Sequence, residues 1–148
     1  MKHYAPLLAL ALACSPAHAT SYGPDLVLDG SFDQSGGFWA LGYGWGKTFG
    51  YAWHNEGYSQ PIAQPTFDVV PGTLYEASYT ISGSYTSSNP GHMFRMRGDT
   101  FANCPMQYGD GTFACQITAP TNAHTLMVQP LSGFAGVLDD VSLREVLP

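Results

Sequence analysis

Apolar residues recur at every second position along this chain, in short runs broken by Gly, Pro, Asn and Asp. That is the period of a half-buried strand, and no long stretch carries the 3.6-residue period of a helix. The clearest run is Leu74 to Ser82, with Tyr75, Ala77, Tyr79 and Ile81 on one side and Glu76, Ser78, Thr80 and Ser82 on the other. His92 to Arg97 sets Phe94 and Met96 against Arg95 and Arg97. Thr112 to Ala119 puts Phe113, Cys115 and Ile117 on one face, and Thr125 to Gln129 turns Leu126 and Val128 inward. Three weaker runs add to these. Leu26-Val27-Leu28 predicts a short first strand ended by Asp29-Gly30. Tyr58 to Ala63 contains Pro61, which restricts it to an edge or a bulge. Thr66 to Val70 places Phe67 with Val69 before a Pro71-Gly72 turn. Residues 82–91 and 98–111 predict loops. About eight short strands without a helix predict an all-β fold, a two-sheet β-sandwich.

The last run, Ala135 to Val146, contains an anomaly. On a regular strand Val137, Asp139, Val141 and Leu143 share one face, apolar except for Asp139. A carboxylate aimed at a core is costly unless it has a partner. Asp139 must therefore sit on a bulge or meet a cation, backbone amides or a buried tyrosine hydroxyl.

Phe38 to Tyr58 concentrates the aromatic residues: FWALGYGWGKTFGYAWHNEGY. It holds all three tryptophans, with glycines spaced between the rings, and predicts two or three short strands joined by tight turns. Such rings build either a core or a platform for a flat ligand such as a sugar ring. Trp45 and Trp53 are the platform candidates, with Tyr43, Tyr51 and Tyr58 nearby.

The N-terminus changes the picture of the remaining residues. Lys2 and His3 precede the apolar run Ala5 to Ala13, and Ala17-His18-Ala19 has the small-x-small form of a cleavage site. Residues 1–19 thus read as a secretory signal peptide cleaved near Ala19, leaving 20–148 as a single domain, secreted or periplasmic. Lipidation at Cys14 is the alternative, and Ala11 and Leu12 fit it poorly. No other segment is long and apolar enough to span a membrane. Without the leader two cysteines remain, Cys104 and Cys115. In an exported protein these predict one disulfide, worth roughly 3 kcal/mol for a loop of this length. A metal site is the alternative, but no CxxC or histidine pair accompanies them.

Lys47, Arg95, Arg97 and Arg144 face eleven acidic residues after the leader, a net charge near −7. That excludes the basic patches that nucleic acid or an anionic membrane surface requires. No HExxH, GxSxG or phosphate-binding loop occurs. A glycosidase needs two positioned carboxylates. Glu56 and Asp110 lie in predicted loops, but nothing in the pattern pairs them. The chain is therefore not expected to be an enzyme.

The order of several segments resembles galactose-binding-like jelly-roll domains, among them the carbohydrate-binding modules of families 4 and 9. Asp25-Leu26-Val27-Leu28-Asp29-Gly30-Ser31-Phe32-Asp33 is similar to their opening N-L-x-x-N-G-x-F-E, with Asp29 and Asp33 departing from it. Phe38-Trp39 and Trp45 follow, with Trp39 where the family places a core ring, then Ser59-Gln60-Pro61-Ile62, then Val69 through Gly83, then Phe134 through Leu143. The resemblance implies a jelly roll binding a poly- or oligosaccharide through exposed aromatics and polar side chains on a concave sheet. The expected contacts are Trp45, Trp53, Tyr51, Tyr58, Arg95 and Arg97. It also implies a structural calcium held by Gly30, Asp33, Asp139 and Asp140, a set rich in the hard oxygens calcium prefers. Arg95 and Arg97 suit sugar hydroxyl pairs or carboxylates. Their alternative role is a surface ladder with Glu76 or Asp68. The alternative for the whole chain is a structural or adhesive exported module without a small-sugar site.

Overall fold

The computed structural model describes residues 19–66, 68–86 and 91–148, with the side chains of 85 and 86 left aside. The expected leader, apart from Ala19, lies outside the described residues together with Cys14, as do Phe67 and residues 87–90. Twelve strands are described: β1 (Ser21–Asp25), β2 (Ala40–Leu41), β3 (Trp45–Thr48), β4 (Tyr51–His54), β5 (Ile62–Pro65), β6 (Leu74–Thr86), β7 (Gly91–Arg97), β8 (Phe101–Asn103), β9 (Gln107–Tyr108), β10 (Gly111–Thr118), β11 (Thr125–Pro130) and β12 (Phe134–Leu147). The first sheet runs β10-β6-β12-β4-β3, with β1 also paired to β12. The second runs β2-β5-β11-β7-β8, with β9 also paired to β7. Every pairing is antiparallel. The chain forms the all-β two-sheet sandwich that its alternation predicts.

The core lies between the sheets. Tyr75, Tyr79 and Ile81 of β6 and Leu138, Val141 and Leu143 of β12 are buried, as are Ile62, Phe94, Met96, Leu126 and Val128 of the second sheet. Each such side chain contributes roughly 1.5–3 kcal/mol of burial. Cys115 of β10 and Cys104, just after β8, form the expected disulfide with their Cα atoms 5.9 Å apart. It ties the first sheet to the end of the second.

Several local expectations change; the predicted loop 82–91 begins as strand, with β6 running to Thr86, and the expected strand at Tyr58–Ala63 is Ile62–Pro65. The first strand is Ser21–Asp25, ending just before the expected Leu26–Leu28. Asp25 Oδ1 accepts both Val27 N and Leu143 N at 3.0 Å, which interrupts the ladder. Leu26 N still reaches Leu143 O on the first sheet, while Leu28 pairs through its own N and O with the side chain of Gln64 on β5. Leu26–Leu28 therefore crosses from one sheet to the other, and a buried glutamine amide stands in for a strand partner. In the predicted loop 98–111, β8 and β9 form, each too short to show a period in sequence. Around Val69 no strand is described; Val70 N instead donates to the buried Tyr75 hydroxyl at 3.0 Å.

The β12 anomaly resolves as a bulge. The register with β6 shifts between Asp139 and Ser142, and Asp140 takes a φ of 50°. The extra residue inverts the alternation, so Leu138 points inward with Val141 and Leu143, while Val137 is half-exposed. The expected face of Val137, Asp139, Val141 and Leu143 does not exist.

Candidate ligand-binding surfaces

The outer face of the second sheet carries a row of polar side chains placed by strand alternation. On β7, Phe94 and Met96 point inward, so Arg95 and Arg97 point out. Arg95 is in register with Asn103 on β8 and with Met127 on β11. Its Nε donates to Asn103 Oδ1 at 2.7 Å, and its Nη1 donates to Gln129 Oε1 at 3.4 Å. Gln129 Nε2 donates in turn to the Ser59 carbonyl. The Arg95 guanidinium lies 4.1 Å from the centre of the Phe101 ring, and that of Arg97 lies 5.8 Å from it. Phe101 is exposed.

The row continues past Ser59. Gln60 Oε1 accepts Tyr43 N at 3.2 Å, and the Gln60 carbonyl accepts Trp45 Nε1 at 2.8 Å. Leu41, Gly42, Tyr43, Gly44, Trp45 and Gln60 line a shallow cavity of about 510 Å³. Tyr43 is 74% exposed there. Tyr58 packs closely on Gly44 beside the cavity and remains exposed. From β8 to β2 the row crosses five strands, about 19 Å at the usual strand spacing.

The six expected contact residues are not brought together. Trp45 is only 8% exposed and packs against His54 at a tilt, with ring centres 4.8 Å apart. It is a core ring, and the expectation of an exposed platform there is corrected: on β3 Trp45 pairs with His54, and both face inward. Tyr51 and Trp53 alternate with the buried Ala52 and His54, so they face outward from the first sheet. Arg95 and Arg97 face outward from the second sheet, on the opposite side of the sandwich. Tyr58 joins the cavity end of the second-sheet row. Asn103, Gln129, Phe101 and Gln60 were not singled out in sequence. For Gln129 a signal existed, since it takes the outward position beside Val128. The three-residue strand holding Phe101 and Asn103 offered none.

Arg95 and Arg97 do not form the alternative acidic ladder. Among the described residues the ion pairs are Lys47–Asp29 and Arg144–Asp25, and Glu76 accepts the Tyr22 hydroxyl. Beneath the cavity, His54 Nδ1 donates to the Phe134 carbonyl at 2.9 Å. Its Nε2 is buried without a hydrogen-bond partner among the described residues. Burial pushes this imidazole below its ordinary range, against the opposing effect of the Phe134 carbonyl.

The four residues expected to hold calcium lie around the β12 bulge. Asp139 Oδ1 accepts Asp140 N at 2.7 Å, and the Gly30 carbonyl accepts Val141 N at 3.0 Å. Burial raises the Asp139 carboxyl above its ordinary range, and the charges of Asp140 and Asp33 add to this, against its bond from the Asp140 amide. Among the described residues no group of three or more His, Cys, Asp or Glu is placed to hold a metal ion. An ion here would depend on backbone oxygens as well as carboxylates.

No family model and no curated protein matches this chain. Solved structures do. One is the N-terminal cellulose-binding domain of β-1,4-glucanase C from Cellulomonas fimi, with 17% identity, a TM-score of 0.56, and coverage of 85% of this chain and 99% of that one. Another is a CBM4 structure, with 16% identity, a TM-score of 0.54, and coverage of 80% of this chain and 98% of that one. The fold is a CBM4-like jelly roll.

Proposed function

We propose that this chain is an exported, non-catalytic carbohydrate-binding module that holds an oligosaccharide or a single polysaccharide chain along the outer face of the second sheet. The observation that carries the reading is the row Asn103–Arg95–Gln129–Ser59 beside the Phe101 ring. Amide and guanidinium groups offer donors and acceptors to paired hydroxyls, and an exposed ring offers a stacking face. Tyr43 and Tyr58 supply further rings at the opposite end. The width of the row suits an extended ligand rather than a single small molecule. The shared fold with a cellulose-binding domain supports the ligand class.

A non-catalytic role is supported by the engagement of Asp110, whose carboxylate accepts the amides of Gly83 and Ser84. Bonds from Ser84 are the first cause holding that carboxyl below its ordinary range. Export rests on the leader-like residues 1–19. Calcium, in this reading, is a stabiliser at the β12 bulge, drawing on Asp33 and on Asp139 or Asp140 together with backbone oxygens beside Gly30.

A few rings and polar contacts give affinities in the micromolar to millimolar range, roughly −4 to −8 kcal/mol. Calorimetric titration against a panel of soluble oligosaccharides tests the site. Arg95→Ala and Gln129→Ala should each weaken binding about tenfold, equivalent to about 1.4 kcal/mol. Wild-type affinity in both variants would remove the second sheet as the site.

A further inference from the structure

The outer face of the first sheet carries a second aromatic surface, on the side of the molecule away from Arg95. Tyr51 and Trp53 stand two residues apart on β4, about 7 Å along the strand, and are 40% and 39% exposed. The pose of Trp53 is set by its cross-strand partner Gly46. A Cβ at position 46 would lie 2.1 Å from Cζ2 and 2.3 Å from Cε2 of the indole. The six-membered ring thus occupies the space above Gly46, and the indole reclines across β3 instead of standing off the sheet. Any other residue at 46 would lift it.

The surroundings are small and neutral. Val137 on β12 pairs with Trp53 and with Ser82 on β6. Thr80 and Thr112 bond to one another through their hydroxyls at 3.0 Å. The nearest charge in this register is acidic, Asp139 opposite Thr80. Lys47 on β3 is turned away, held by Asp29 and by the Gln34 carbonyl. A reclining indole, a neighbouring tyrosine and a hydroxyl margin suit the apolar face of a sugar ring. The acidic neighbour disfavours an anionic polymer.

We infer that Trp53 and Tyr51 form a second polysaccharide-binding surface, one that lies flat against neutral, insoluble polysaccharide. Its ligand class rests on the carbohydrate reading above; its location does not. With ligand-binding faces on both sheets, one domain bridges two chains.

The test separates the two faces. Retention is measured on cellulose, chitin and an insoluble β-1,3-glucan, and soluble-oligosaccharide affinity is measured by calorimetry, with oligomeric state followed by ultracentrifugation. The double variant Trp53→Ala/Tyr51→Ala should lose at least tenfold in retention while its soluble affinity stays within twofold of wild type. Gly46→Ala keeps both rings but lifts the indole, and should lose retention with an unchanged fold by circular dichroism. Retention unchanged in both variants overturns the inference, as does retention lost only with Arg95→Ala. So does a wild-type dimer that both variants convert to monomer, because the surface would then be a self-association face. Retention lost in the aromatic variants alongside normal soluble binding by Arg95→Ala upholds this surface and rejects the second-sheet site.

Discussion

Lys47 Nζ lies 2.6 Å from Oδ2 of Asp29, whose side chain is wholly buried. The ammonium also reaches the Gln34 carbonyl at 2.8 Å, and Asp29 Oδ1 accepts Gln34 N at 2.9 Å. Asp29 itself takes a left-handed φ of 56°, which an aspartate tolerates better than most residues. The pair closes the 29–36 segment over Phe32 and Trp39, whose ring centres are 5.3 Å apart.

Removing one partner leaves a buried charge without compensation. Lys47→Ala should therefore cost about 3–5 kcal/mol in denaturant unfolding. The double change Asp29→Asn/Lys47→Met should recover much of that loss. A single-variant cost below about 1 kcal/mol would show the pair to be solvated.

Stability should fall in mild acid. His54 and His92 are both buried and flank Phe134, at 5.7 and 5.2 Å between ring centres. Burial is the leading cause that lowers both imidazoles below their ordinary range. The unfolded chain takes up protons near pH 6.5 that the folded chain refuses until a lower pH. Stability is thus complete above about pH 6.5 and declines as pH falls below it, by up to about 1.4 kcal/mol per pH unit for each histidine. Urea midpoints from pH 8 to pH 5 measure the slope. His54→Phe should flatten it.

The disulfide joins the sheets rather than neighbours in one sheet, so its loss should be global. Cys104→Ser/Cys115→Ser should lower unfolding free energy by about 3 kcal/mol. Thermal melts of the oxidised, reduced and double-serine forms check this, and the last two should coincide.

Calcium, if held at the β12 bulge by Asp33 and Asp139 with backbone oxygens, should raise the melting temperature by several degrees over a chelator control, since about 2.7 kcal/mol follows at a hundred times the dissociation constant. Asp139→Asn should abolish the increment. Equal melting temperatures with calcium and with chelator would leave the bulge as a purely backbone feature.

Trp45 and Trp53 show where sequence legibility stopped. Both sit in glycine-rich surroundings and look equivalent as platform rings. Alternation of Tyr51, Ala52, Trp53 and His54 was sufficient to turn Trp53 outward once one face of β4 was known to be buried. The fate of Trp45 depended on the cross-strand pairing with His54, which no local pattern reveals. Asp139 was more legible: its misfit with the apolar face demanded a bulge or a partner, and the fold supplied a bulge.

The strands with clear alternation, the sandwich class, the disulfide pair and the inward and outward faces of β6, β7, β10 and β11 are legible in the amino-acid order alone. The strands and their faces follow from a two-residue period, a local property of the chain, and the disulfide from the two cysteines left after the expected leader. Which sheet each strand enters is visible only in the folded molecule. Sheet membership comes from pairings between residues far apart in sequence, such as Arg95 with Asn103 and Met127, or Trp53 with Val137. That is why the arginines and the exposed tryptophan, which the chain lists as one candidate site, stand on opposite sides of the molecule.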